Sequence, residues 1–349
     1  MTSRLRVAVV GTGLIARLKH LPALQRLDTA ELCAICDISR DAAQEAADKF
    51  GIKGVYNDLD RMLSAEKPDI VDVCTPPKTH LSVAKAALEA GAHLLVEKPM
   101  CATVDECDEL IRIAKAKNLK ICVAHSDLFY PSFTKARAAL AQGKIGTFRG
   151  MNIHLSTPVD YITSKRDHWA NKLPGGVFGE SGPHVVYMTL AFINPIKEVS
   201  VTATKILPEY AWSPFEDYRV TMVGDAGICS ASMIYTTKQW AAGLEIWGTD
   251  GTLRVDLESQ TLTRVRREAL NVLRVGASAV SEAAQILVSG ISTGIDRLAQ
   301  RYTQTHQELL KAYIAAILEN KPSPVGPEEG RESIRVMNMI VDAIHRSAK

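Results

Sequence analysis

The stretch that decides the fold is Val7-Ala8-Val9-Val10-Gly11-Thr12-Gly13-Leu14-Ile15-Ala16, near the start of a 349-residue chain. The apolar run Leu5 to Val10 reads as a strand that ends in a G-x-G-x-x-A turn. A helical stretch follows from Ile15 to Leu27, with apolar residues at Leu18, Leu21, Leu24 and Leu27. Glu31-Leu32-Cys33-Ala34-Ile35-Cys36-Asp37 then reads as a second strand that finishes on an acid. Each part has a physical task. Gly11 permits the tight turn, Gly13 lets the backbone approach a pyrophosphate, and the small Ala16 lets helix pack on strand, while the helix N-terminus attracts phosphate charge. Asp37, 21 residues beyond Ala16, can accept both ribose hydroxyls of an adenosine. Strand, turn, helix, strand and acid in that order predict a dinucleotide-binding unit, with Thr12, Leu14 and Ile15 also against the cofactor. Asp37 repels a 2′-phosphate and favours NAD; Arg40, three residues on, leaves NADP open.

Working outward, strands and helices keep alternating. Asp69 to Thr75 reads as a strand stopped by Pro76-Pro77, Thr79 to Ala90 as a helix, His93 to Val96 as a strand, Val104 to Lys117 as a helix and Lys120 to Ala124 as a strand. Such alternation predicts parallel β-α-β units, whose ligands bind beyond the carboxyl ends of the strands. Thr75, Pro76, His80, Glu97 and Lys98 are expected there against the cofactor, and Lys98 and His125 toward a substrate. A strand-end lysine beside a nicotinamide can pass a proton to or from a substrate oxygen, since burial and a cationic neighbour both favour its neutral form. A surface pair between Lys98 and Glu97 is the bland alternative.

Composition narrows the partners. Lys plus Arg number 41 against 39 Asp plus Glu, a formal charge of +2, which argues against a broad nucleic-acid binder. Hydrophobic residues make up 46%, ordinary for a globular chain, and no run reaches the ~18 consecutive apolar residues of a membrane span. The apolar stretch after Met1-Thr2-Ser3-Arg4 is too short for a signal peptide, so a cytoplasmic location is expected. Seven scattered cysteines do not make a disulfide scaffold. Cys33 and Cys36 have C-x-x-C spacing, but on a strand they face opposite sides, so no metal or redox pair is expected. The expected partner is a small molecule.

Gly11 to Ala16, Thr75-Pro76-Pro77-Lys78-Thr79-His80, Ala90 to Pro99 with its Glu97-Lys98-Pro99, and Gly143-Lys144-Ile145-Gly146 together resemble the Gfo/Idh/MocA oxidoreductases, relatives of glucose–fructose oxidoreductase and inositol dehydrogenase. The resemblance runs nearly end to end. It implies an α/β Rossmann domain with a doubly wound parallel sheet, set at 1–125, and an α+β domain with a large, mostly antiparallel open sheet, set at 126–349. It also implies a nicotinamide cofactor, Lys98 as the catalytic lysine, a cis bond before Pro99, and a homodimer or homotetramer formed through the second sheet.

In the second half, Gly175-Gly176-Val177-Phe178-Gly179-Glu180-Ser181-Gly182-Pro183-His184 opens a helical run through Phe192. Glu180 and His184, spaced i, i+4, share a helix face and can hydrogen-bond; alone, such a pair is usually a surface contact. The segment resembles the family's Gly-Gly-Gly…Asp-x-Gly-x-His run, which implies catalytic roles for His184 and, orienting it, Glu180. Glu180 replaces the family's Asp, Tyr187 stands where an Asp often follows, and no Arg appears in His125 to Pro131. These departures blur the substrate more than the reaction. Tyr161, His168 and Trp169 could line a sugar-sized pocket or merely anchor a loop. Arg149 to Thr157, Glu198 to Lys205, Asp217 to Gly224, Ile228 to Tyr235, Gly243 to Trp247 and Leu253 to Leu257 read as strands of the second sheet.

Residues 264–305 fit no part of this plan. Arg264, Arg266, Arg267 and Arg274 lead into a broken amphipathic pattern with Leu273, Val280, Leu287 and Ile291. A subunit contact or lid is preferred over a core-covering helix, and a membrane-surface helix is the least favoured reading. The expected function is hydride transfer between a nicotinamide cofactor and a secondary alcohol or ketone of a sugar, sugar nucleotide or polyol. The rivals are an NAD-dependent glycoside hydrolase or lyase with transient redox and a non-catalytic dinucleotide sensor.

Overall fold

A computed structural model describes residues 4–267, 269–298 and 304–347. Met1-Thr2-Ser3 of the leader reading and residues 268 and 299–303 of the 264–305 stretch lie outside them. The chain divides into two compact units: Met1–Ser126 with Thr303–Arg335, and Asp127–Tyr302 with Val336–Lys349. The first unit, besides the residues up to Ser126, takes a late segment. That return has a packing cause. Helix α9 (Thr305–Leu318) buries Leu309, Leu310, Tyr313 and Ile314, and the Tyr313 hydroxyl lies 2.9 Å from the carbonyls of Leu94 and Lys120. Arg331 further clamps Asp108 with two bonds, of 2.6 and 2.9 Å.

The first unit holds a six-stranded, all-parallel sheet in the order β3-β2-β1-β4-β5-β6. Its strands are β1 (Leu5–Val10), β2 (Ala30–Cys36), β3 (Gly54–Tyr56), β4 (Ile70–Val73), β5 (His93–Val96) and β6 (Ile121–Val123). They are short and nearly continuous in apolar residues because helices cover both faces. The order reverses direction between β1 and β4, the switch point where such sheets take ligands. Gly11, at the end of β1, has φ +95°, and a Cβ there would stand 2.7 Å from the Cys74 carbonyl oxygen. Helix α2 (Arg40–Phe50) is capped by the Ser39 side chain and closed by Gly51 in the left-handed conformation. Cys33 and Cys36 are buried, and burial pushes each thiol up to about 11, so neither acts as a thiolate near neutral pH.

The helix after the glycine turn departs from the expected regular form. It winds as a π turn over Ala16–His20 and only then becomes α1 (Leu21–Gln25), ending two residues before Leu27. Such turns cluster at functional sites, because the extra residue per turn re-aims a side chain. Here it delivers His20 to a fully buried position.

The second unit is built on a seven-stranded sheet, ordered β13-β12-β11-β7-β10-β9-β8 and antiparallel except for β7 beside β10. The strands are β7 (Phe148–Ser156), β8 (Ile196–Thr204), β9 (Asp217–Gly224), β10 (Gly227–Ile234), β11 (Ala241–Gly248), β12 (Gly251–Asp256) and β13 (Thr261–Val265). Strict alternation sets the buried face: Cys229, Ala231 and Met233 point inward from β10, and Leu253 and Val255 from β12. Inside lie Phe133 of α6 (Pro131–Ala141), Phe178 and Met188 of α7 (Phe178–Leu190), and Val336, Ile340 and Ile344 of α10 (Pro327–Ser347). Strand β13 was not anticipated. Its edge carries α8 (Val272–Leu298), a 27-residue helix whose apolar side chains stay exposed, which removes the core-covering reading of this stretch. By length and composition it is also apolar enough to cross a membrane, which a count of consecutive apolar residues had overlooked because Gly and Ser interrupt the run.

The close approach at Gly11 gives a direct test. Gly11→Ala is expected to destabilise the protein by about 2 kcal/mol or more in urea unfolding, since an added Cβ meets both an unfavourable φ and a backbone carbonyl.

Candidate functional site

In the first unit, the carboxyl ends of β1, β2, β4 and β5 bring the sequence-predicted cofactor residues together. Among the described residues nothing stands within 4 Å of the place a Gly13 Cβ would occupy, so the turn leaves room for a ligand against bare backbone. Asp37 ends β2 half-buried; its Oδ2 accepts from the Thr12 amide and hydroxyl at 2.8 Å, and its Oδ1 from the Ser39 amide at 2.9 Å. Both lone pairs of Oδ2 are thus taken, while Oδ1 keeps its second for a ribose hydroxyl. Thr75 Oγ1, at the end of β4, is buried with no hydrogen-bond partner among the described residues, an orphan that a bound cofactor would satisfy. Leu14 and Ile38 expose apolar surface beside the turn and beside Asp37, Ile38 being 97% exposed. Sequence reasoning passed over Ile38, whose only signal is an apolar residue directly after the ribose acid. Arg40 is exposed as the first residue of α2. These features fit a dinucleotide.

Two expected cofactor residues turn out to hold the scaffold. His80 is buried, with Nδ1 at 2.8 Å from the Pro99 carbonyl and Nε2 at 2.8 Å from the Thr75 carbonyl. Both nitrogens are used to staple the loops after β4 and β5, which corrects its reading as a cofactor contact. Glu97 is likewise buried. Its Oε1 meets His20 Nε2 at 2.8 Å, its Oε2 accepts the Lys98 amide at 3.0 Å, and His306 Nε2 stands 3.6 Å away. His20 Nδ1 in turn meets Asp72 Oδ2 at 2.8 Å. Burial alone would raise the Glu97 carboxyl, but hydrogen bonds and charge from His20 and His306 outweigh it and hold the group well below 4.5. Burial would lower His20, yet Asp72 and Cys74 together hold it well above 6.5. Side chains of His20, Glu97 and His306 are close enough to share an ion. Two ligands at about 2.1 Å from a tetrahedral metal stand about 3.4 Å apart, however, so the 2.8 Å contacts of His20 are direct hydrogen bonds. Lys98 follows, half-buried, through a cis Lys98–Pro99 peptide, as the resemblance implied. His125 is buried just beyond β6.

In the second unit, α7 presents His184. Its Nδ1 lies 2.6 Å from Asp127 Oδ2 and 2.7 Å from the Tyr187 hydroxyl. The carboxylate on this nitrogen therefore comes from Asp127, 57 residues away in sequence, and not from Glu180, whose Oε2 accepts the Ser181 hydroxyl at 2.9 Å. Pro183 lies inside the helix between Glu180 and His184, so regular i, i+4 geometry was a poor guide. Burial and the Asp127 carboxylate hold the Tyr187 phenol well above 10, so it is a donor throughout the physiological range. Tyr187 is thus a buried support for His184 and not an open substrate contact. An ionised Asp127 accepts only, which requires a proton on Nδ1 and leaves Nε2 of a neutral His184 as the acceptor. Tyr161 stands edge-on to Trp240 with centroids 4.8 Å apart, and Trp169 stacks on His168 at 5.7 Å; both Tyr161 and Trp169 are about half exposed.

A parallel sheet with a glycine turn at its switch point, an acid after β2 and a lysine after β5 defines a dinucleotide-binding α/β oxidoreductase. Residues 5–125 match the oxidoreductase-family model with an NAD-binding Rossmann fold, and residues 133–254 the GFO/IDH/MocA C-terminal domain. The chain belongs to the Gfo/Idh/MocA oxidoreductase family. It is 33% identical over 178 residues to a D-glucoside 3-dehydrogenase of Escherichia coli, a match covering 51% of this chain and 47% of that one. The chain thus spans about half the length of that relative. It is 23% identical over 346 residues to a myo-inositol 2-dehydrogenase of Thermotoga maritima, covering 95% and 93% of the two chains. Its fold is similar to that of the WlbA dehydrogenase of Bordetella pertussis, solved with NADH and UDP-GlcNAcA, with a TM-score of 0.79 at 20% identity over 99% and 96% of the chains.

The buried network predicts how stability responds to pH. Removing its cation with His20→Gln should cost about 3–5 kcal/mol, because it leaves buried carboxylates uncompensated. The raised His20 contributes fully below 6.5 and loses its contribution as pH rises through its folded value. The lowered Glu97 contributes fully above 4.5 and loses its contribution as pH falls through its folded value. Urea unfolding of both proteins across pH should therefore show the largest wild-type advantage between 4.5 and 6.5, shrinking on either side.

Proposed function

We propose that the chain is an NAD-dependent dehydrogenase of a secondary alcohol on a sugar, sugar nucleotide or polyol, acting in either direction. The observation that carries this reading is the placement of the open Gly13 turn, the orphan Thr75 hydroxyl and Lys98 at the carboxyl ends of the neighbouring strands β1, β4 and β5. The glucoside, inositol and sugar-nucleotide dehydrogenases it resembles support the substrate class. Bound NAD supplies the hydride acceptor. Lys98 Nζ takes the hydroxyl proton as the carbon–hydrogen bond breaks, and returns it in reduction. Glu97, held by His20, fixes the backbone from which Lys98 projects. His184 receives a substrate hydroxyl on Nε2, its tautomer set by Asp127. Asp37 selects the unphosphorylated ribose. The reading includes a cytoplasmic location, with all seven cysteines reduced and buried, and association of copies through the open face of the second sheet, where Ile228 and Trp247 are exposed.

Lys98→Ala is expected to abolish turnover of a sugar and polyol panel while NADH binding, read by fluorescence, persists; full activity in this variant would overturn the assignment. As a positioning residue, Asp127 should act through the histidine. Asp127→Asn is expected to lower kcat by about 10²–10⁴-fold, as expected for loss of a general acid–base contribution, and to displace its pH profile with KM for NAD unchanged. Turnover without net cofactor reduction would favour a hydrolase or lyase instead.

A further inference from the structure

Helix α8 is amphipathic the wrong way round for a soluble fold. Its polar side faces the protein: Gln285 Oε1 accepts the Arg264 amide at 2.8 Å and its Nε2 donates to the Arg264 carbonyl at 3.1 Å, so one side chain pairs with the free edge of β13 as a strand would. Glu282 binds Arg254 at 2.5 Å and stands 3.8 Å from Arg267, and Ser289 reaches the Gln260 carbonyl at 3.5 Å. The opposite side carries Leu273, Val280, Leu287 and Ile291, exposed by 85, 71, 65 and 62%. At 100° per residue, Ile286 to Val288 bound an outward arc of about 200° that contains no charged residue from Leu273 to Ile295. An arc this wide on a helix about 40 Å long far exceeds the scattered apolar exposure of ordinary surfaces.

Beside the helix lies a cleft of about 700 Å³ between α6, β13 and α8. Lys135, Lys144, Arg264 and Arg266 line it, Ser278, Ser281 and Gln285 face it from α8, and none of the described residues lining it is acidic. We propose that α8 docks the protein on an anionic lipid surface, its apolar arc entering the acyl boundary and the basic cleft taking phosphate headgroups. Charge complementarity selects this occupant, since cationic residues along the flank of an apolar helix are what a negative leaflet attracts. A second copy of α8 fits less well. Leu273, Ala277, Val280, Ala284, Leu287 and Ile291 could form a narrow seam, but of the flanking Arg274, Gly276, Ser281, Ala283, Val288 and Gly290 one alone is charged, with no acid among them to pair it, and much of the arc would stay in water. The helix lies along the surface and does not cross it, because spanning would break the bonds of Glu282 and Gln285 to the sheet.

The test is co-sedimentation of the full chain with vesicles of phosphatidylcholine alone or with 30% phosphatidylglycerol, beside sedimentation equilibrium without lipid. At least tenfold stronger binding to the anionic vesicles is expected, weakening with salt. Val280→Glu with Leu287→Glu, both at exposed positions, should reduce binding at least tenfold with Tm and NADH binding unchanged. Lys135→Glu with Lys144→Glu should remove the preference for anionic vesicles. Failure of the full chain to sediment with either vesicle overturns the proposal. So does a Val280/Leu287 variant that loses a subunit in equilibrium sedimentation while vesicle binding is unchanged. The readouts are independent of turnover, so they leave the dehydrogenase reading to its own experiment.

Discussion

One buried imidazole organises the first unit. His20 stands between Asp72 at the end of β4 and Glu97 after β5, and it arrives there from the turn that follows β1. Three adjacent strand ends are therefore tied to one ring. A cation between two carboxylates is tolerable without water only if every hydrogen bond is made, and here the desolvation of each group is offset by charge on the other. The consequence for chemistry is positional. Glu97 also accepts the Lys98 amide, so the backbone bearing the proposed proton carrier is fixed by a residue in the glycine-turn helix. The π winding over Ala16–His20 belongs to the same constraint, because it sets the direction in which His20 leaves the helix.

The second unit solves a comparable problem with an acid of its own. Asp127 fixes the His184 ring, and Tyr187 closes the triangle while remaining protonated. The arrangement settles which imidazole nitrogen carries the proton, and that choice, more than the presence of a histidine, lets Nε2 accept. A glutamate four residues earlier would have had to reach across a proline-bearing turn; the unrelated loop before α6 offers a shorter route.

How much of this the sequence disclosed follows the range of the interactions. Contacts local in sequence were legible: the Leu5–Val10 strand, the Gly11-Thr12-Gly13 turn, Asp37 at the end of β2 and Lys98 after β5 all rest on periodicity and on a few residues with special backbone freedom. What failed was long-range pairing. Nothing local to Leu18 and Leu21 marks His20, and only the depth of Asp72 and Glu97 shows why it turns inward. His80 sat where a cofactor contact was expected, and the two carbonyls it staples are invisible in the sequence. Nothing local announces that Thr305–Leu318 rejoins the first unit, since its Tyr313 bonds strands some 200 residues earlier.

The long helix α8 shows a different limit, one of direction and not of distance. Its apolar positions recur with the spacing of a core-facing helix, and that spacing is identical whether the face turns inward or outward. Orientation is decided by the minority polar residues. Glu282 and Gln285 find Arg254 and the unpaired edge of β13, an edge that would otherwise be open to another strand, and in doing so they commit the apolar face to the outside. Gly276, Gly290 and Gly294, which each weaken a helix by about 1 kcal/mol relative to alanine, meet none of the described residues within 4 Å where a Cβ would stand. A helix so composed gains little from its own fold. Its length and its exposed leucines, isoleucines and valines are costly in water, and they are consistent with a surface whose complement lies outside the chain.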